Sequence, residues 1–417
     1  MIELFAEKKD CCGCGACMNI CPKTAIHMEK DEYGFVYPKI DTEKCVECGA
    51  CKKVCAFQNE PTRKQPQRVY AIASKNNDLV KKSASGGLFA TMAVQVLEQG
   101  GCVYGAVMQH EEHELHIRHV CCETKKELYH LQGSKYVQSS LGNIFKDVQK
   151  KLKNDIFVLF SGTPCQVDAL KSYLRKDYPN LLTVDVICHG VPSEQFFNDY
   201  IHYTQKKIGG EISEFKFRDK SSGWGYNLTA KYIQVDGSTE YYRTASSDSS
   251  YFDMFINSIA LRENCYHCKY TNGKRTGDIT IGDYWGIEEE HPETLEQNGG
   301  RLSEKNGISV SLINSDKGIV FFDEIKEQFD YYESTFEKAA KRNTQLVHPV
   351  KLTKARKMYW ICIENGDMVR LNFTFGAVFR NRKRKVLLEE FCQKKPDRKS
   401  NNCCISKVLE EVDVRER

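Results

Sequence analysis

The sequence lacks any run of ~20 apolar residues, the length that crosses a bilayer, so no transmembrane segment is expected. Met1 to Asp10 carries charge and no long apolar stretch, and a secretory leader is not expected there. An excess of one charge is missing too: 60 basic residues stand against 56 acidic ones, a net +4. That balance gives no bulk attraction to nucleic acid, and none is expected as a partner. No Gly-x-Gly-x-x-Gly sits on a strand-to-helix turn, so a nicotinamide-type dinucleotide fingerprint is absent. The 417 residues suffice for two or three domains with ample core. Twenty cysteines without an export signal point to a reducing cytoplasm and to metal ligation.

The cysteines are ordered. Cys11-x-x-Cys14-x-x-Cys17-x-x-x-Cys21-Pro22 is followed by Cys45-x-x-Cys48-x-x-Cys51-x-x-x-Cys55. This is the bacterial ferredoxin spacing, twice. Three thiolates two residues apart wrap three corners of a cubane, and the fourth reaches the other cluster. Cys11, Cys14, Cys17 and Cys55 are therefore assigned to one 4Fe-4S cluster, and Cys45, Cys48, Cys51 and Cys21 to a second. A disulfide framework or paired zinc sites would not place a third and fourth cysteine at these steps. Gly13, Gly15 and Gly49 suit loops that approach an inorganic core closely. Ala56 stands where the second run would carry proline. Cys12 is extra, a bystander or an alternative to Cys11.

Residues 32–38 alternate and are aromatic, as in a short hairpin between the two halves. Residues 59–68 are polar with two prolines and form a linker. Val69 to Ser74 is predicted as a strand. Ser85-Gly86-Gly87 then precedes a helix that ends at Gly100-Gly101, and small residues there turn backbone N–H groups toward an anion. The alternative is a plain serine cap on a flexible loop. Cys102 to Met108 is predicted as a strand. Lys135, between small polar residues and ahead of a helix over 141–152, suits a phosphate or a flavin carbonyl, or else a surface turn. The strands 156–160 and 182–187 each run into a loop with a cysteine, Cys165 and Cys188, and then a helix. In open α/β sheets ligands bind at that strand edge, although small buried hydrophobes would look the same. Residues 212–231 alternate as antiparallel strands, and 253–261 has helical spacing. Cys265-x-x-Cys268 completes a set of four with Cys165 and Cys188, enough for a third 4Fe-4S cluster. His267 is expected at its margin or exposed. A loop (288–305), a strand (308–314) and helical spacing over 318–329 follow. Further helices are predicted at 336–341, 354–364 and 386–392. The basic run 380–385 reads as a solvated helix face or a dock for an acidic partner. Cys121, Cys122, Cys362, Cys392, Cys403 and Cys404 have no ligand spacing.

Taken as an ordered set, the ferredoxin runs, Ser85-Gly86-Gly87, Gly162-Thr163-Pro164-Cys165-Gln166, Cys188-His189-Gly190, Cys265-x-x-Cys268 and Gly282-Asp283-Tyr284-Trp285-Gly286 resemble the coenzyme F420 (deazaflavin) hydrogenase/dehydrogenase beta-subunit family. The resemblance covers residues 1 to about 315. It implies an α+β and α/β multidomain chain. Residues 1–60 would be a bacterial-type ferredoxin fold with two 4Fe-4S clusters. Residues 68–153 and 154–315 would be the two parts of an α/β FAD domain on a mixed sheet, and 316–417 a helical extension. By position, Cys165, Cys188, Cys265 and Cys268 would ligate a cluster beside the flavin. Ser85, Gly86 and Gly87 would meet the FAD phosphates and Lys135 would lie near the flavin, with Gly162 and Thr163 as further cofactor contacts. The implied activity is an oxidoreductase that takes electrons from a ferredoxin-like carrier to FAD and on to a small organic acceptor. The alternative is an electron-transfer subunit with no substrate of its own, feeding a partner enzyme.

Overall fold

The computed structural model describes residues 3–59, 63–353 and 356. Three sheets organise them. Strands β1 (Ile26–Lys30) and β2 (Val36–Ile40) pair antiparallel as a hairpin between the two cysteine runs. The main sheet has eight strands: β3 (Arg68–Ser74), β4 (Cys102–Glu111), β5 (Glu114–Cys122), β6 (Val158–Gly162), β7 (Leu181–Val186), β11 (Ile279–Asp283), β12 (Ser309–Ile313) and β13 (Phe329–Ser334). The remaining three, β8 (Gly210–Lys216), β9 (Asn227–Gln234) and β10 (Thr239–Ala245), form a meander.

In the main sheet the order is β13-β3-β12-β11-β7-β6-β4-β5. The middle four, β11, β7, β6 and β4, run parallel, and every other pairing is antiparallel. Parallel strands need both faces covered, and the side chains alternate accordingly. Val103, Leu159, Leu182 and Val184 join one buried cluster with the helices Leu88–Glu98 and Asp316–Ile325. Cys102, Tyr104, Val158, Phe160 and Leu181 face the other side, under the helices Ile144–Lys153 and Pro164–Leu174. A third cluster joins β5 to the meander and the helices Glu194–Ile208 and Ser250–Ile256.

The ferredoxin module is part of this body. Its Ala16 and Val54 are buried in the same cluster as Tyr104 and Phe160. Asn19 donates to the Gly142 carbonyl (2.7 Å), the Ser193 hydroxyl to that of Tyr33 (2.8 Å) and the Lys269 amine to that of Phe57 (2.7 Å). The two cysteine runs repeat one backbone. Gly15 and Gly49 are both left-handed, φ 71° and 72°, at the start of the short helices Ala16–Ile20 and Ala50–Lys53. Gly13 and Glu47 are left-handed at the equivalent earlier position, φ 69° and 52°.

Several elements differ from the sequence-based expectation. The helix over 318–329 stops at Ile325, and Phe329 opens β13 against β3. Residues 316–340 therefore complete the main domain and do not begin a separate helical extension. Strand β5, the third meander strand β10 and the helix Asn77–Lys82 are additional. The predicted helices at 354–364 and 386–392, the basic run 380–385 and Cys362, Cys392, Cys403 and Cys404 lie outside the described residues.

A buried ion pair ties β7 to the loop before β11. Arg275 Nη2 lies 2.8 Å from Asp185 Oδ1, with both side chains almost fully buried. Asp185 also accepts from Gly277 N–H at 2.9 Å. Asp185→Asn leaves a buried guanidinium without its counter-ion, and about 3–5 kcal/mol of stability is expected to be lost. Urea unfolding should show a lower midpoint at unchanged slope.

Candidate functional site

The parallel strands deliver their carboxyl ends to one cavity of about 380 Å3, within the ~300–1,000 Å3 range of ligand sites. Strand β6 ends in Gly162-Thr163, β7 in Ile187-Cys188, and β11 in Asp283-Tyr284-Trp285, and residues of all three ends line it. The loop after β6 is set by a capping box: the Thr163 side chain caps the helix, and Gln166 Oε1 accepts from Thr163 N–H at 3.0 Å. Pro164 opens that helix, and the Thr163 hydroxyl lies 3.1 Å from Cys165 Sγ. After β7, Gly190 adopts φ 129°, and a Cβ there would come within 2.7 Å of Leu261 Cδ1. Only glycine lets the Cys188 loop pack against the segment that carries Cys265.

All sixteen described cysteines are free thiols, and the ligand candidates gather in three groups. Cys11, Cys14, Cys17 and Cys55 lie near enough to disfavour one another's ionisation. Burial pushes the Cys11 thiol up to about 11 and raises Cys17 further. Cys21, Cys45, Cys48 and Cys51 line one small surface pocket, with Cys48 exposed. Cys165, Cys188, Cys265 and Cys268 meet in the cavity wall. Burial pushes Cys265 up to about 12 and Cys268 up to about 11, and each is raised again by its neighbours. Sulfurs packed this way repel as thiolates unless a cationic centre joins them, which is the demand an iron-sulfur cluster meets. Among the described residues no three such groups are close enough for a single metal ion. Zinc needs all its ligands within ~2.3 Å of one point, whereas a cubane offers a separate iron to each sulfur. His267 is exposed.

Cys12 is no surface bystander. It is buried and forms one apolar patch with Phe57 and Tyr270. Cys14 and Cys55 of the ferredoxin module and Cys165 and Cys268 of the core all pack on that patch. Cys121 and Cys122 belong to β5 and do not line the cavity.

The remaining predicted contacts divide. Ser85, Gly87, Lys135, Gly162 and Thr163 line the cavity; Gly86 does not. A Cβ at Gly86 would fall 2.6 Å from the Ile72 carbonyl, so that glycine serves close packing on β3. The Ser85 hydroxyl donates to the Ile308 carbonyl at 2.9 Å. Lys135 donates to the carbonyls of His130 (2.8 Å) and Gln132 (2.9 Å), and burial pushes its amine down to about 7. Sequence reasoning missed three lining groups. His119 on β5 turns Nε2 to the Ser161 carbonyl (3.0 Å), so among the described residues its Nδ1 is a buried acceptor without a partner. Burial keeps this ring neutral, with its pKa down at about 4. It can accept an N–H or O–H from a ligand. Asp283 is clamped by Arg218 (2.7 and 3.0 Å) and Trp224 Nε1 (2.8 Å), with Trp285 stacked on Trp224 at 4.7 Å. Arg262 Nε donates to the Cys11 carbonyl (3.0 Å), and the Arg262 carbonyl accepts from Cys265 N–H (3.0 Å). Asp283 and Trp285 belonged to a visible motif; His119 and Arg262 carried no local signal.

Three family sequence models match. The beta-subunit amino-terminal region of coenzyme F420 hydrogenase/dehydrogenase matches residues 69–146, and the carboxyl-terminal region of the same family matches 157–338. A 4Fe-4S dicluster domain matches 10–59. An uncharacterized protein of Methanocaldococcus jannaschii is 25% identical over 328 residues, 69% of this chain and 83% of its own length. An uncharacterized ferredoxin of the same organism is 39% identical over 44 residues, 11% of this chain and 56% of its own length. A chain from a solved structure of the F420-reducing NiFe hydrogenase complex of Methanosarcina barkeri superposes with a TM-score of 0.43 at 15% identity, covering 68% of this chain and 91% of that one. Among the described residues no helix is long and apolar enough to cross a membrane.

Lys135 makes the site pH-sensitive. Its folded pKa, about 7, lies below the unfolded value of about 10.4. Between these values the unfolded chain holds the proton and the folded chain sheds it, so stability climbs with pH across that window. Lys135→Met removes this slope. Urea midpoints measured from about pH 7 to about pH 10 should rise more for the wild type than for the variant, and parallel profiles would refute the assignment.

Proposed function

The chain belongs to the coenzyme F420 hydrogenase/dehydrogenase beta-subunit family, with a 4Fe-4S dicluster module at its amino end, and from that footing we propose that it is a flavin-dependent iron-sulfur oxidoreductase. The chain is an iron-sulfur electron-transfer protein of an oxidoreductase family. In our reading it holds three ligand sets, a flavin in the cavity and an organic two-electron acceptor. Clusters carry electrons singly, and a bound flavin would convert that traffic to hydride-equivalent transfer.

The residues divide the work. Cys21, Cys45, Cys48 and Cys51, with exposed Cys48 and Val46 58% exposed beside it, form the port for a low-potential carrier such as a ferredoxin. Cys11, Cys14, Cys17 and Cys55 hold the next station, and Cys165, Cys188, Cys265 and Cys268 the one in the cavity wall. Phe57, Tyr270 and Cys12 keep water from between the two inner stations. Lys135, Ser85, Gly87 and the loop Gly162-Thr163 would face the flavin. His119 Nδ1 would accept from one of its N–H or O–H groups and keep no proton of its own to lose.

One observation supports this reading: cysteines of the ferredoxin module and of the core pack on the same buried Cys12–Phe57–Tyr270 patch, whose Cys12 and Tyr270 line the cavity. Anaerobic reconstitution of the full chain should yield about twelve irons, matching sulfide and one flavin per chain. Cys165→Ser should lose about four irons and keep the other eight. Eight irons in the wild type, or no bound flavin, would overturn the proposal. Reduction of a deazaflavin or another two-electron acceptor by the isolated chain would separate an enzyme from a subunit that only feeds a partner.

A further inference from the structure

Arg262 is fully buried. Its fork is spent on neutral acceptors: Nε on the Cys11 carbonyl (3.0 Å), Nη1 on Gln138 Oε1 (3.2 Å) and Nη2 on the Val36 carbonyl (3.0 Å). The guanidinium lies 4.0 Å over the Tyr37 ring. Among the described residues it makes no ion pair with a carboxylate, unlike the other buried arginines Arg218, Arg275 and Arg356, each paired with an aspartate or glutamate. An unpaired buried charge is costly, so a compensating negative charge is to be sought nearby. The backbone and side-chain bonds of Arg262 lead to a cysteine of each inner set. It donates to the residue of one inner set, and its own carbonyl accepts from Cys265 N–H of the other (3.0 Å). Cys12 and Gly13 complete the packing between the two sets, with a Cβ on Gly13 falling 3.1 Å from Arg262 Cζ.

We infer that Arg262 is the common counter-charge of the two inner ligand sets and raises the reduction potential of both clusters they hold, leaving the outer one untouched. The inference rests on the reading of these cysteines as cluster ligands. A fixed cation stabilises the more negative, reduced state of either neighbour, and burial keeps solvent from screening it. Around Cys21, Cys45, Cys48 and Cys51 the charged groups Lys23, Lys44, Glu43 and Glu47 are exposed and of both signs, so their fields are weak. The bias is therefore inward: one electron leaves the outer set, one electron is gained inside, and no proton moves.

The test is an anaerobic redox titration of the reconstituted full chain followed by electron paramagnetic resonance, with iron and sulfide counted first. Arg262→Gln removes the cation. Gln138→Glu instead brings a carboxylate to Nη1 and neutralises it in place, with almost no change of shape. In either variant the two inner midpoints should fall by at least tenfold in the reduction equilibrium, about 59 mV for one electron. The outer midpoint should not move, and Arg262→Lys should stay within that margin of the wild type. Inner midpoints that do not change, or three midpoints that fall together, overturn the role of Arg262. If Arg262→Gln and Gln138→Glu assemble only the outer cluster while Arg262→Lys assembles all three, the charge requirement is upheld. If Arg262→Lys fails with them, the residue is only a structural brace and the inference is wrong. A wild type without the inner clusters sinks the ligand assignment itself, which the iron count separates from every other result.

Discussion

Buried sulfur is the constraint from which the architecture follows. Twelve cysteine side chains come together in three groups, and in the two inner groups burial pushes most of the thiols toward their neutral form. Thiols of that kind are poor ligands until something positive joins them. The chain answers with glycine-lined turns that present the sulfurs at short range and with one guanidinium wedged between the groups. The parallel sheet contributes rigidity. Its adjacent strands β6 and β7 place Cys165, in the first turn of the helix Pro164–Leu174, and Cys188, in the loop after β7, so two of the eight inner sulfurs are located by backbone hydrogen bonding before any cofactor is present.

That constraint also explains why the ferredoxin module is not a tethered accessory. A flexible arm would let the separation between stations vary, and electron transfer falls off steeply with separation. Here Asn19, Tyr33, Phe57 and the Arg262 fork tie the module to the core from several directions. The chain leaving it is pinned as well: Lys64 and Arg275 exchange two backbone hydrogen bonds, and Arg63 donates to the Lys269 carbonyl. Residues 63 and 64 of the segment read as a linker are thus bound to the chain between Cys268 and β11.

The features legible in the sequence were those encoded locally. Cysteine spacing marks the groups that the fold brings together, and short apolar runs ending in a cysteine mark buried parallel strands. What escaped detection depends on distant partners. Phe329 falls in helical register with Phe322 and Ile325, yet tertiary pairing with β3 claims it for a strand. Leu115, Ile117 and His119 alternate along β5, but an edge strand this polar reads equally well as a loop. Gly86 resembled an anion cradle, and only the fold shows Ile72 pressed against it. Arg262 and Gln138, 124 positions apart, become one device only after folding.

The two halves of the ferredoxin module have the same backbone and unequal freedom. Gly13 and Glu47 occupy matching left-handed turns. At 13 any side chain would meet the Val36 carbonyl at 2.8 Å and the Gln138 amide at 2.9 Å. At 47 the chain carries a glutamate out into water. Likewise Cys12 is sealed inside where its counterpart Val46 is 58% exposed. A duplicated unit of which one copy is walled in and the other open to solvent will drift apart at different speeds. Across descendants of such a gene the inner copy should stay nearly frozen, while the outer copy is the one at liberty to remodel its face for whichever donor a given cell provides.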